Sequence, residues 1–295
     1  MMSTIQARAP RPIFGRKQST NPIIRAVVRH ALIICALVIL LYPLVWMVAA
    51  SFRPSNQIFT TLGLFSAHPT LANYTEGWGA GRLNFSRYFI NSFLIAILSI
   101  VGNLISCSVT AYAFARLNFP GRRFLFAMLL GTMFLPFQVT LVPQYIMFNY
   151  LGWINTYLPL IVPHWFGVNA FFIFLMVQFI RSLPRELDDS ARLDGCGHFR
   201  IFTRIIMPLA LPAIGVVALF SFVWSWNDFL GPLLYLGRSD LWTVPLGLKA
   251  FLDSTGQSSY GGLFAMSTLS LAPIVGFFIL AQRLLLEGIA TTGLK

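Results

Sequence analysis

Charge is what this sequence has least of. Lys, Arg, Asp and Glu make up 10% of its 295 residues, where a soluble domain carries about 25%. That excludes water as the main solvent, and with 57% hydrophobic residues and a mean hydropathy of +0.73 the chain suits a bilayer. Lysine is scarcer still, with Lys17, Lys249 and Lys295 alone. A P-loop needs G-x-x-x-x-G-K-[ST], because its lysine and backbone amides hold nucleotide phosphates. These lysines follow Arg16, Leu248 and Leu294, so the chain does not bind ATP in that way. Cys35, Cys107 and Cys196 have no metal-ligand spacing, and His30, His68, His164 and His198 fall in four different segments, which offers no zinc site.

What is present instead is long uncharged sequence. About 20 helical residues cross a hydrocarbon core of ~30 Å. Six runs pass that test, at about 31–50, 88–114, 124–147, 158–180, 208–227 and 263–282, and none contains Asp, Glu, Lys or Arg. Asp228 lies just past the edge of the fifth. The expected fold class is all-α: a polytopic membrane protein with six transmembrane helices. The first run exceeds the ~7–15 apolar residues of a signal peptide, so it reads as a retained helix kinked at Pro43. A proton-coupled carrier would ordinarily place ionisable groups inside the membrane, and the runs hold none beyond His164. A sodium-coupled carrier using unwound backbone carbonyls stays open.

The net charge of +12 is not spread as nucleic-acid binding would require. Residues 1–30 carry six basic residues and no acid. With that tail in the cytoplasm, the inner segments hold 6, 3, 5 and 2 basic residues and the outer loops 3, 0 and 2. Positive-inside bias therefore puts both termini in the cytoplasm. The expected organisation is a basic tail at 1–30, a six-helix domain at 31–286 and a cytoplasmic tail at 287–295.

Against this background, nine charged residues crowd between Arg181 and Arg204. Ser182 can cap a helix whose first turn holds Pro184 and Glu186, where proline is tolerated and an acid suits the dipole. Leu187 and Ala191 lie four apart on one face beside Ser190. Gly195 is placed to end this helix in a left-handed turn. A second short helix is expected from about Gly197, with Phe199, Phe202 and Ile206 on one side, Arg200 and Arg204 on another, and Pro208 leading into the fifth run. A helix, a glycine hinge and a helix could receive another protein, or could lie in lipid headgroups with arginines on phosphate. Asp188 and Asp189 are adjacent on a helix and do not face each other, so paired-carboxylate catalysis is not indicated.

This stretch resembles the EAA loop of ABC-importer permeases, roughly E-L-x-E-A-A-x-x-D-G followed by I-x-x-P-x-x-x-P. Glu186, Leu187, Asp189, Ser190, Ala191, Asp194 and Gly195 match the first part; Ile205, Pro208 and Pro212 match the second. Asp189 and Ser190 depart from Glu and Ala but keep charge or small size. "SFRPSNQIF", "PTLANY", "AYAFARLNFPGR", "LPFQVTLVPQY", "WNDFLGPL" and "QRLLLEGIATTGLK" resemble the carbohydrate branch, specifically the second permease of maltose-type importers. The ending Gly293-Leu294-Lys295 departs from that branch.

The resemblance implies a type I importer half-channel in a bacterial inner membrane. It would pair with a homologous permease, two ATP-binding cassette ATPase subunits and an extracytoplasmic solute-binding protein. The chain itself would bind no cofactor, with ATP and Mg on the ATPase, and would not be an enzyme. Residues 182–212, Phe199 included, would form the ATPase-coupling loop. A secondary carrier and a structural membrane subunit are the alternatives. A carbohydrate path needs aromatic faces and neutral hydrogen-bonding groups; Asn91, Asn103, Gln138, Asn169, Gln178, Trp224 and Trp226 are the candidates, each also suited to helix–helix bonding or interfacial anchoring.

The charge asymmetry sets a topology test. With Cys35 and Cys107 removed, Cys196 should react with a membrane-impermeant thiol reagent in inside-out vesicles and stay unlabelled in intact cells. Labelling from outside would reverse the orientation.

Overall fold

The computed structural model describes residues 22–60, 63, 64, 66, 68–79, 84–252 and 259–292, with side chains described as far as 283. Among these residues there is no strand. The helices are α1 (Pro22–Ser51), α2 (Ala72–Gly79), α3 (Phe85–Arg116), α4 (Arg122–Thr132), α5 (Phe137–Tyr150), α6 (Leu158–Ile161), α7 (Ala170–Ser182), α8 (Glu186–Leu193), α9 (His198–Ile201), α10 (Met207–Leu209), α11 (Leu211–Asn227), α12 (Leu230–Tyr235), α13 (Val244–Lys249) and α14 (Tyr260–Thr292). The chain divides into two units, 1–47 and 48–295. The described part of the first is one continuous apolar helix, residues 22–47 of α1. The expected tail 1–30 lies partly outside the described residues, and α14 carries helix beyond 286 to Thr292.

The second unit is organised around α3. Its C-terminal half packs Cys107, Ala111, Phe114 and Ala115 against Phe172, Met176 and Val177 of α7 and Ala213 and Val217 of α11. Its other half packs Phe85, Tyr88, Ala96 and Ile100 with Phe222 and Trp226 of α11, Val244 of α13, and Ala265 and Met266 of α14. Phe222 stacks on Phe277 at 4.5 Å and 9°, joining α11 to α14. Lipid tails are as apolar as leucine, so helices in a bilayer associate through close packing and polar contacts. The face of α3 is built that way. Ser99 Oγ donates to the Leu160 carbonyl (3.3 Å), Asn103 Nδ2 to Ser221 Oγ (2.7 Å) and Ser106 Oγ to the His164 carbonyl (2.8 Å).

Among the described residues, four helical stretches are long and apolar enough to cross a membrane, Ile23–Ser51, Phe85–Arg116, Leu158–Ser182 and Tyr260–Arg283, and six if two bent pairs each count as one. The bent pairs are the third and fifth of the expected runs. The run 124–147 is α4 and α5 at 99° to each other. Pro136 sits at the break; it offers no amide to the preceding turn and pushes its neighbour out of helix. The 14 residues of α5 rise only ~21 Å, short of a full crossing. The second bend, 76° between 198–209 and 211–227, falls at Ala210 between Pro208 and Pro212. The run 158–180 is also interrupted, by a 3-10 turn at Val162–Phe166 and by Gly167 at φ 66°.

Two fragments distant in sequence close on each other beside α2. Asn73 Nδ2 donates to the Ser51 and Arg53 carbonyls (2.8 and 2.6 Å), and its Oδ1 accepts from Ser55 Oγ (3.2 Å). The "SFRPSN" and "PTLANY" stretches are therefore one structural clamp.

Close helix approach also sets a stability test. A Cβ at Gly247 would collide with the ring of Tyr88, which is itself buried in the α3 core. Gly247→Ala should destabilise the purified protein by about 1–3 kcal/mol, the usual effect of overpacking. Thermal unfolding in detergent reads it; an unchanged midpoint would show that Tyr88 yields without loss.

Candidate functional site

Two arrangements stand out, one at each end of the α3 core. The first is the segment 181–212. Here α7 continues through Ser182, whose Oγ bonds the Phe179 carbonyl (2.7 Å), and α8 begins at Glu186 with Arg185 as its N-cap. Ser182 is thus the end of one helix and not the cap of the next, and Pro184 precedes α8 instead of lying in its first turn. Three acids, Glu186, Asp188 and Asp189, occupy that first turn, where they complement the dipole.

Gly195 takes the left-handed conformation expected of it, at φ 79°. The Cys196 amide donates to the Ala191 carbonyl (2.9 Å) and the Gly195 amide to Arg192 (3.0 Å), the paired bonds of a Schellman turn. The chain then re-enters helix as α9, passes through a π-helical turn at Phe202–Ile206, and ends in α10. Ala191, Ile201 and Ile206 are buried in the α3–α7–α11 core, with Ile205 and Phe202 packed against it.

Phe199 does not share that face. It is 80% exposed, as Leu193 is at 90%, so two large apolar side chains flank the glycine turn in the open. Glu186, Asp189, Ser190, Asp194 and Pro208 are also exposed, while Leu187 is half-buried. The Arg192–Asp189 pair at 3.9 Å is open to solvent and adds little.

The residues that hold this segment are ones the sequence reading passed over. Arg116, the last residue of α3, places Nε 3.0 Å from Asp188 Oδ2, with side chains 2% and 7% exposed. Its Nη2 also donates to the Leu183 carbonyl (3.0 Å). Arg181 returns a bond to the Phe114 carbonyl (3.4 Å) and lies 5.0 Å above the Phe126 ring. A polar cleft of about 490 Å³ opens beside the pair, lined in part by Arg185, Asp189, Arg192 and His198. The available signal for the ion pair was Arg116 itself, a cation immediately after an uncharged run, which needs a counter-charge wherever it is buried.

The second arrangement is a cavity of about 690 Å³ among α3, α6, α7, α11 and the loop after α11. Asn103, Asn169 and Trp224, expected on a solute path, line it, with Ser221, Ser225, Asn227, Asp228, Thr243 and His164. Trp224 stacks on Phe172 at 4.8 Å and 18° and is 47% exposed. The other candidates do not line it. Asn91 is buried and braces the Asp240 and Trp242 carbonyls (3.0 and 2.9 Å). Trp226 is buried with Nε1 on the Ser270 carbonyl (3.1 Å). Gln138 and Gln178 are exposed elsewhere. Burial pushes the Asp228 carboxyl above the usual carboxylate range, against the lowering effect of the Gly231 and Leu230 amides.

Comparisons with known proteins agree with this architecture. The family model described as binding-protein-dependent transport system inner membrane component matches residues 24–290. A probable ABC transporter permease protein, YurM, of Bacillus subtilis is 35% identical over 88% of this chain and 85% of its own. The arabinooligosaccharides transport system permease protein AraQ of Halalkalibacterium halodurans is 34% identical over 95% of this chain and 99% of its own. A crystal structure of a bacterial ABC transporter involved in the import of the acidic polysaccharide alginate contains a chain similar in fold, with TM-score 0.76 and 20% identity, covering 92% of this chain and 99% of that one.

The buried pair generates a double-mutant test. Asp188→Leu alone strands a buried guanidinium and should cost about 3–5 kcal/mol, whereas adding Arg116→Met should recover more than half of that. Thermal unfolding and limited proteolysis at the α7–α8 junction measure both. Additive losses would mean that the two side chains do not interact.

Proposed function

Because this chain belongs to the family of binding-protein-dependent transport system inner membrane components, we propose that residues 182–212 are its docking element for an ATPase. The observation that carries the reading is Gly195, left-handed and exposed between Leu193 and Phe199, on a helix locked to α3 by the Arg116–Asp188 pair. A tight turn with apolar side chains on both sides lets a partner's backbone approach, and the ion pair passes its displacement to the membrane helices. The loop faces the cytoplasm with both termini, in a bacterial inner membrane.

The chain then forms half of a translocation path, completed by a homologous second permease. Two ATPase subunits hold ATP and Mg and supply the power; an extracytoplasmic binding protein delivers the solute. The solute is a carbohydrate, supported by the aromatic and neutral polar lining around Asn103, Asn169 and Trp224 and by the arabinooligosaccharide permease among the relatives. Nucleotide-driven closure of the ATPases biases two arrangements of the helices, which is coupling in the thermodynamic sense.

Gly195→Val tests this. A Cβ at Gly195 meets nothing within 4 Å, so the only penalty is the left-handed backbone, about 1–2 kcal/mol or more for a β-branched residue. Expression and pairing with the second permease should survive. In the reconstituted complex, ATP turnover stimulated by the binding protein, loaded with the solute that mass spectrometry identifies on it, should fall severely together with uptake. Normal turnover and uptake would instead assign the segment to the lipid headgroups.

A further inference from the structure

The cavity wall carries an unbalanced charge. Asp228 is the only carboxylate on it, and no Lys or Arg lines it among the described residues. No salt bridge reaches Asp228 either, again among the described residues. Oδ1 accepts from the Gly231 amide at 3.1 Å. A Cβ at Gly231 would collide with Oδ2 and approach Leu160 Cδ2 to 2.8 Å, so the glycine makes room for the carboxylate. The bond to Gly231 resembles a cap on α12, and asparagine would cap equally well. Capping therefore accounts for the side-chain oxygen but not for a half-buried negative charge without a cation.

We propose that Asp228 makes this wall favour cations and reject anions, so that the solute passed along it is a neutral or amine-bearing carbohydrate and not a uronate or a phosphorylated sugar. The proposal deepens the translocation-path reading and rests on it. A carboxylate accepts short, strong hydrogen bonds from hydroxyl and ammonium groups. It repels a second anion strongly where water is scarce. Within a few ångströms of Asp228, a sugar hydroxyl gains a partner that no neutral side chain matches, while a carboxylate or phosphate on the solute meets unrelieved repulsion. The acidic polysaccharide named for the solved relative is of the class this wall would exclude.

The test probes the wall without needing the natural solute. Cys35, Cys107 and Cys196 are replaced by alanine and Ser225→Cys is introduced on the cavity lining, in the complete complex reconstituted in lipid. Modification rates, each divided by that reagent's rate with a free thiol in solution, are compared for a cationic trimethylammonium-ethyl and an anionic sulfonatoethyl methanethiosulfonate at about pH 8, where an ordinary imidazole is neutral and which lies well above the ordinary carboxylate range from which burial raises Asp228. The cationic reagent should be faster by on the order of tenfold or more. The ratio should fall toward one in Asp228→Asn, which keeps the cap and should leave the unfolding temperature unchanged. Equal rates before that substitution, or a preference that survives it, overturn the proposal and leave the path reading standing. No reaction with either reagent in any nucleotide state shows that the wall is closed to water, which overturns the path reading as well.

Discussion

The contact between Arg116 and Asp188 is the one on which the geometry of segment 181–212 depends. A guanidinium stays charged at any physiological pH, and this one is buried at the end of a helix that carries no other charge beyond its first turn. Burying it alone would be prohibitive, so a carboxylate and backbone carbonyls must come to it. Asp188 and the Leu183 carbonyl do so, which draws the α7–α8 junction against α3 and orients α8. Once α8 is oriented, the Schellman turn at Gly195 sets the direction of the returning chain, and Ile201 and Ile206 fall back into the core. The exposed pair Leu193 and Phe199 is left at the turn as a result.

The same helix reaches the cavity. Asn103 and Arg116 are separated on α3 by thirteen residues, or ~20 Å of helix. One end of that length bonds α11 through Ser221 on the cavity wall, and the other holds α8 through Asp188. A displacement applied at α8 therefore acts on an element that also lines the cavity. Along that length the small residues Cys107, Ala111 and Ala115 alternate with Tyr112 and Phe114, which pack among Phe172, Met176 and Phe202.

Much of this was legible before any coordinates. The uncharged runs identified the membrane class, and Gly195 was read as a left-handed terminus from its place after a short amphipathic pattern. The errors cluster where local pattern and tertiary demand diverge. Ser182 looked like a cap because a serine two residues before a proline usually marks a helix start, yet α7 simply continues through it. Phe199 was grouped with Phe202 and Ile206, although the π-helical turn at Phe202–Ile206 shifts the helical phase that follows it. For Asn91 and Trp226, two readings were open from the start, a solute path or internal bonding, and both side chains bond backbone carbonyls inside the fold.

The sequence by itself determined the solvent, the helical class, the spacing of the apolar runs and the helix–glycine–helix segment, because these depend on local composition and on the backbone preferences of single residues. Only the tertiary structure decided that Arg116 meets Asp188, that the third run bends by 99°, and which polar groups share a cavity with Asp228. Those outcomes depend on distances between residues far apart in the chain and on whether a charged group is surrounded by water or by protein. Neither quantity is a property of any short stretch.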